Sequence, residues 1–383
     1  MIRPVQRAQH AQHISTLSEF EQMLSWLLDD SLAGVYLEHL DLREHAPELE
    51  SLDPRGAVFM DCQLPEGYDE SLRAAGALVF PKLPAFPFQP YRSELYTADE
   101  LYDGILQARY ESVPDAQIYA WSTQEQPDAA NAALAVSLHD HAINVALQHS
   151  FPENRKIVGV MGGHSALRGS KRYSFAAYLG HVLANDGFTV ATGGGPGSME
   201  AANLGAYLYQ QDWSTVKNVL ADFSGEFTQP TRWARNAMLV RQSFPAQNHN
   251  RSLGIPTWVY GHEPPNMFGT SIAKYFANSI REAVLLEKSG GGIIFLPGAA
   301  GTIQEIFQDA CENFYAPTSK LAPMVLASSD YWTNTYPVWP LLSKLAAGTP
   351  MADYVHLVDD AASALAIIRD HQIRTPHTQA GTL

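Results

Sequence analysis

The stretch Gly291-Gly292-Ile293-Ile294-Phe295-Leu296-Pro297-Gly298-Ala299-Ala300-Gly301-Thr302-Ile303-Gln304-Glu305 joins an apolar run to a glycine turn and then to a helical pattern. An apolar run of this kind suits a central strand of a parallel sheet, buried on both faces. Thr302 followed three residues later by Glu305 reads as a capping box that opens the next helix. The unpaired N–H groups of a first helical turn, acting with the helix dipole, attract a phosphate.

A second junction of the same kind follows Phe188–Thr192, where Gly193-Gly194-Gly195-Pro196-Gly197 leads to Ser198, read as the N-cap of a helix. A third follows Ile157–Met161 as Gly162-Gly163-His164-Ser165. In an open α/β sheet, ligands sit beyond the carboxyl ends of the strands, so these turns are expected to converge on one anion. No loop ends in Gly-Lys-Ser/Thr, and none spells Gly-x-Gly-x-x-Gly. A P-loop kinase and a classical dehydrogenase are thereby disfavoured.

From about Lys156, strand and helix signals alternate in the manner of βαβ units. Strands are expected at 157–161, 188–192, 216–221, 256–260, 292–296, 322–327 and 354–358. Helices are expected at 170–186, 198–210, 270–288, 303–314, 331–346 and 360–371. The fold class is therefore α/β, a Rossmann-like doubly wound parallel sheet over 151–371, preceded by an α+β extension over 1–150 and followed by a tail over 372–383. In the extension, short apolar runs occur at 34–42 and 57–62, and the Pro- and aromatic-rich stretch 80–91 reads as an extended arm. A helix over about 128–149 leads into the α/β domain, and no internal repeat stands out.

Of the 383 residues, 46% are hydrophobic and 17% charged, enough for a sizeable core. The net charge of −15 disfavours non-specific binding to nucleic acid or to an anionic membrane. Any anionic ligand then depends on local helix ends and arginines. Cys62 and Cys311 are too few for a disulfide framework or a thiolate zinc site. No charged-then-apolar signal pattern and no membrane-length apolar run is visible, so a cytoplasmic protein is expected. His139 and His141 do not suggest a metal site, because residues two apart do not share a helix face. Neither a metal nor a cofactor is expected.

Among residues that could do chemistry, Glu305 has two readings, a simple cap or a carboxylate beside a bound phosphate. On a 270–288 helix, Arg281 falls opposite a stripe of Ile272, Phe276, Ile280 and Ala283, the place of a solvated arginine. Ala277 and Leu285 lie on its own face, however, and suggest a contact there. The long segment after 221 carries Glu226, Arg232, Trp233, Arg235, Asn236, His249 and Arg251, which could clamp a nucleotide or merely pack.

Over about 156–330 these spacings resemble the Lonely Guy family of phosphoribohydrolases, often mislabelled lysine decarboxylases, and the related bacterial nucleotide 5′-monophosphate nucleosidases. The resemblance rests on Gly162-Gly163, Gly193-Gly194-Gly195, Arg281, and Pro297-Gly298 through Gly301-Thr302 to Glu305. Two positions depart from the family pattern. Ala299 replaces a glycine, which requires a backbone without positive φ there, and Glu282 follows Arg281 where the shorter plant-like enzymes have lysine. The resemblance implies cleavage of the N-glycosidic bond of nucleoside 5′-monophosphates, with Glu305 and Arg281 catalytic. It also implies a substrate and phosphate site of Gly162, Gly163, Ser165, Gly193, Gly194, Gly195, Gly197, Ser198, Pro297, Gly298, Gly301 and Thr302. A homodimer or larger even assembly is expected with it. The rival reading is a nucleotide sensor of the same fold; a lysine decarboxylase lacks a Schiff-base lysine near the glycine turns.

Overall fold

The computed structural model describes residues 12–27, 30–80, 83–125, 129–246, 251–258 and 263–374. Pro81 and Lys82 of the expected arm, His249, the last two residues of the expected 256–260 strand and the tail beyond 374 lie outside these. The chain forms two compact units. One comprises the residues up to Ser93 with Glu125–Val145, the other Glu94–Gln124 with everything from Ala146. Residues 94–124, which the sequence assigns to the extension, are thus part of the second unit.

The first unit holds strands β1 (Gln12–Ile14), β2 (Val35–Glu38), β3 (Val58–Met60) and β4 (Leu78–Phe80), side by side in that order and all parallel. Helices Leu17–Trp26, Ala46–Ser51 and Tyr68–Ala74 connect them. This is a parallel α/β layer rather than the expected α+β extension. It is also a stack of repeats that the sequence does not advertise. Gly34, Gly56 and Gly76 occupy equivalent corners with positive φ, and each hydrogen-bonds the next, Gly34 N to Gly56 O at 3.1 Å and Gly56 N to Gly76 O at 3.2 Å. Ile14, Leu37, Leu40, Leu42, Phe59 and Leu72 fill the interior, closed by Phe20 and Met23 of the first helix. In the Pro-rich arm, Phe88 and Tyr91 are buried, and Phe88 stands edge-on to His139.

The second unit is built on β5 (Ile157–Met161), β6 (Thr189–Thr192), β7 (Ser252–Gly254), β8 (Ser271–Ile272), β9 (Ile293–Phe295), β10 (Met324–Ala327) and β11 (Val355–Val358). Their order across the sheet is β11-β10-β9-β5-β6-β7-β8, and every pairing is parallel. β5 and β9 are fully buried, as their apolar runs demand. From β5 the chain first winds outward through β6 to β8, then returns to place β9 on the other side of β5. The strand order therefore reverses between β5 and β9.

Four expected elements differ. Of the expected 256–260 strand, the described residues 256–258 form no strand, and the sheet takes Ser252–Gly254 instead. Residues 216–221 are not a strand but part of helix Trp213–Asp222, because Asp212 caps it by accepting from Thr215 N at 2.9 Å. Val216 and Leu220 are buried one helical turn apart, a spacing that competes with the β-branched signal. The expected 270–288 helix starts only at Asn278, since Ser271–Ile272 is claimed by the sheet edge as β8. The expected 331–346 helix is split into a π-helical turn Tyr331–Thr335 and helix Val338–Ala346, with Pro337 at the break.

Candidate active site

The three glycine turns leave the carboxyl ends of β9, β5 and β6, which are neighbours in the sheet at the point where strand order reverses. They touch through backbone. Gly163 N donates to Pro297 O at 3.1 Å, and Ser198 N donates to Gly163 O at 3.1 Å. The approach is close: a Cβ on Gly163 would stand 3.2 Å from Gly298 Cα, tight enough that one of the two turns would have to give. Gly197 has φ +72°, and a Cβ there would lie 2.4 Å from His164 O.

Gly197, not Ser198, is the N-cap of helix Ser198–Tyr207, and Ser198 is its first residue. The 193–195 turn is braced from behind. Asn266 N donates to Gly194 O at 2.7 Å, its Nδ2 donates to Gly195 O at 3.1 Å, and Thr192 Oγ1 accepts from Gly194 N at 3.0 Å. Buried Glu200, one turn into the same helix, accepts from Arg168 Nε and from Tyr173 OH, both at 3.0 Å.

Helix Ala300–Tyr315 begins earlier than expected, with Ala299 as N-cap and no side-chain cap. There is accordingly no Thr302–Glu305 capping box. Thr302 sits in the first turn, buried, with its hydroxyl against Gly298, and Glu305 lies beyond that turn. Ala299 has φ −108°, a value open to any residue, which accounts for the departure from glycine at this position. Gly301 is exposed with open space around it, and Ser165 is exposed on the 162–165 turn.

Arg281 and Glu305 are brought together: Arg281 Nη1 stands 3.7 Å from Glu305 Oε1, with the two side chains 12% and 18% exposed. The shortened helix Asn278–Lys288 explains why the helical wheel misplaced Arg281, for its supposed stripe included Ile272, a strand residue. Arg281 Nε is buried without a hydrogen-bond partner. The guanidinium also borders the glycine turn, 3.5 Å from the place of a Cβ on Gly193. Burial pushes the Glu305 carboxyl up to about 7, with Arg281 opposing the rise and Glu282 adding to it. Glu282 itself is held by Asn278 Nδ2 at 2.8 Å and Gln304 Nε2 at 2.9 Å.

The structure adds residues that the sequence reading missed. Glu263 stands over the 193–195 turn, its Oε2 3.0 Å from the place of a Cβ on Gly195, and its Oε1 pairs with His164 Nδ1 at 2.9 Å. Burial raises its carboxyl, against the pull of His164 and Arg281. No motif marks Glu263; only the folding of its segment back over the β6 turn brings it here. Tyr331 OH donates to Gly298 O at 2.8 Å, and the Arg172 guanidinium lies 5.6 Å from the Tyr331 ring centre, close to the same turn.

Four side chains of the long segment after 221 pack against the protein itself. Trp233 is buried, Arg235 Nε donates to Ile105 O at 2.9 Å, Asn236 Nδ2 donates to Ser224 O at 3.0 Å, and Arg251 donates to Gly187 O. Among the described residues no group of His, Cys, Asp or Glu is arranged to hold a metal, and no helix is long and apolar enough to cross a membrane.

Residues 155–211, which carry the 162–165 and 193–197 glycine turns, match the model of the SLOG cluster4 family, and SLOG includes the Lonely Guy proteins. Similar solved structures include a molybdenum cofactor binding protein from the phototrophic bacterium Rippkaea orientalis, 18% identical, with a TM-score of 0.35 over 56% of this chain and 96% of that one. Another is the structural-genomics target TM1055, 19% identical, with the same TM-score and coverage. No curated protein matches the chain by sequence.

Proposed function

We propose that the protein hydrolyses the N-glycosidic bond of nucleoside 5′-monophosphates, releasing free base and ribose 5-phosphate. The observation that carries this reading is the half-buried Arg281–Glu305 pair beside three converging glycine turns at the switch point of the sheet. Helix N-termini and turn N–H groups hold the phosphate. Glycosidic cleavage passes through an oxocarbenium-like state, which a carboxylate near C1′ stabilises while it takes a proton from the attacking water. A carboxyl titrating at about 7 is poised for that transfer near neutral pH. Release of base from a panel of nucleoside monophosphates tests the reading. Tight binding of a monophosphate without base release would instead make this a nucleotide-binding protein.

The reading requires the 5′-phosphate. Charge-assisted hydrogen bonds contribute about 1.5–3 kcal/mol each, so losing two or more costs roughly 100-fold or more in kcat/KM. Nucleosides are accordingly expected to be cleaved at least that much more slowly than their monophosphates; equal rates would place the phosphate elsewhere.

A homodimer is proposed as the working form. Leu285, on the helix face expected to join subunits, is 1% exposed and already covered. Helices Ala300–Tyr315 and Val338–Ala346 instead leave Tyr315 81% and Leu341 57% exposed, with Phe314 and Leu345 beside them in their helices. Light scattering is expected to give twice the 42.1 kDa chain mass, and Tyr315→Glu with Leu341→Asp to halve it. A monomeric wild-type mass at micromolar concentration contradicts this.

A further inference from the structure

We infer that Glu263 is the acid that protonates the departing base, with His164 as its relay to solvent; this rests on the glycosidic reading above. A purine or pyrimidine anion is a poor leaving group, so cleavage needs a proton donor on the base as well as a carboxylate at the sugar. Glu305 occupies the sugar end, on the helix whose first turn adjoins the phosphate loop.

Glu263 lies over Gly195, and it interacts electrostatically with both Arg281 and His164. The His164 side chain, 56% exposed, gives Glu263 a contact with solvent, and its ring stands edge-on to Phe227 with centroids 5.9 Å apart. Behind Glu263 the wall is formed by Tyr110, Asp115, Tyr119, Trp258 and Lys274, where the Lys274 charge is already matched by Asp115. Burial keeps the Glu263 proton on longer than in water, the state an acid needs.

In the step, the bond from C1′ to the base nitrogen breaks and its electron pair stays with the base, which takes the Glu263 proton and leaves neutral. Water adds to C1′ and passes its proton to Glu305. Glu263 ends as a carboxylate and Glu305 as an acid, and the proton returns through solvent and His164. The sum is one water consumed per nucleotide cleaved.

The test compares full-length wild type, Glu263→Gln and Glu305→Gln on the best nucleoside monophosphate of the panel and on 4-nitrophenyl riboside 5-phosphate, whose leaving group requires no proton. Glu263→Gln is expected to lose about 100-fold or more on the nucleotide and under about threefold on the nitrophenyl compound. Glu305→Gln is expected to lose on both. His164→Asn, which spares both carboxylates, is expected to lose activity on the nucleotide alone. Equal losses of Glu263→Gln on both substrates, no loss on the nucleotide, or a wild-type enzyme unable to cleave the nitrophenyl compound overturns the assignment. Wild-type protein inert towards every compound removes the glycosidic reading itself, and the assignment with it.

Discussion

Glu305→Gln is expected to cut turnover a hundredfold or more while making the folded protein more stable above neutral pH. The two effects have one cause. Glu305 is not a cap, because its helix starts at Ala300 under Ala299, so the isosteric change breaks no capping bond. What it removes is a buried negative charge that the transition state needs and the resting fold does not.

The folded carboxyl titrates at about 7, above its ordinary value of 4.5, chiefly through burial. A carboxyl raised on folding leaves stability intact below the unfolded value and draws it down as pH rises through the folded one. Between pH 4.5 and 7 the unfolded chain gives up this proton while the folded one keeps it, a loss of up to about 3 kcal/mol by pH 8. Glutamine carries no such loss. Melting curves of mutant and wild type are therefore expected to coincide near pH 4 and separate at pH 8, with the mutant higher. Near-wild-type base release from folded mutant protein, or a mutant less stable at pH 8, would refute the role given to Glu305.

Asp115→Ala is expected to destabilise the second unit by about 3–5 kcal/mol, the cost of leaving a buried charge without its partner. Asp115 and Lys274 form an ion pair with side chains 2% and 1% exposed. Asp115 also accepts from Trp258 Nε1 at 2.9 Å and from Tyr110 OH at 2.7 Å. Burial pushes the Lys274 amine down, and Asp115 is what opposes that shift. Removing the carboxylate takes the counter-ion from an ammonium and one acceptor each from an indole N–H and a phenol. Replacing Lys274 by Met in the same chain is expected to recover much of the loss, since the charge then disappears from both sides. Chemical denaturation measures it; a single-mutant loss under about 1 kcal/mol would mean that water already reaches the pair.

Much of the second unit was legible because its signals are local. Ile293–Phe295 and Ile157–Met161 are apolar runs bounded by glycine, and the turns after them follow from strand order. The errors have physical causes too. Val216, Val219 and Leu220 have strand-like side chains, but the Asp212 cap and helical spacing outweigh them. In the first unit, the stacked coils share a backbone device at Gly34, Gly56 and Gly76, while the side chains around it differ from coil to coil, so the repeat escapes a reading by residue type. At the site, Glu305 and Arg281 carry a recognisable spacing. Glu263 has none, since its place depends on a return of the chain that no short motif encodes.

Neither unit is one continuous stretch of chain, and this orders events on the ribosome. Glu94–Gln124 leaves the exit tunnel long before the strands it belongs with, so Asp115 stays hydrated until Trp258 and Lys274 have been made. The first unit, complete once Val145 has emerged, can settle while that segment waits. A shortened protein beginning at residue 151 would thus lose more than an appendage: it would carry Lys274 into a core that never receives its counter-ion.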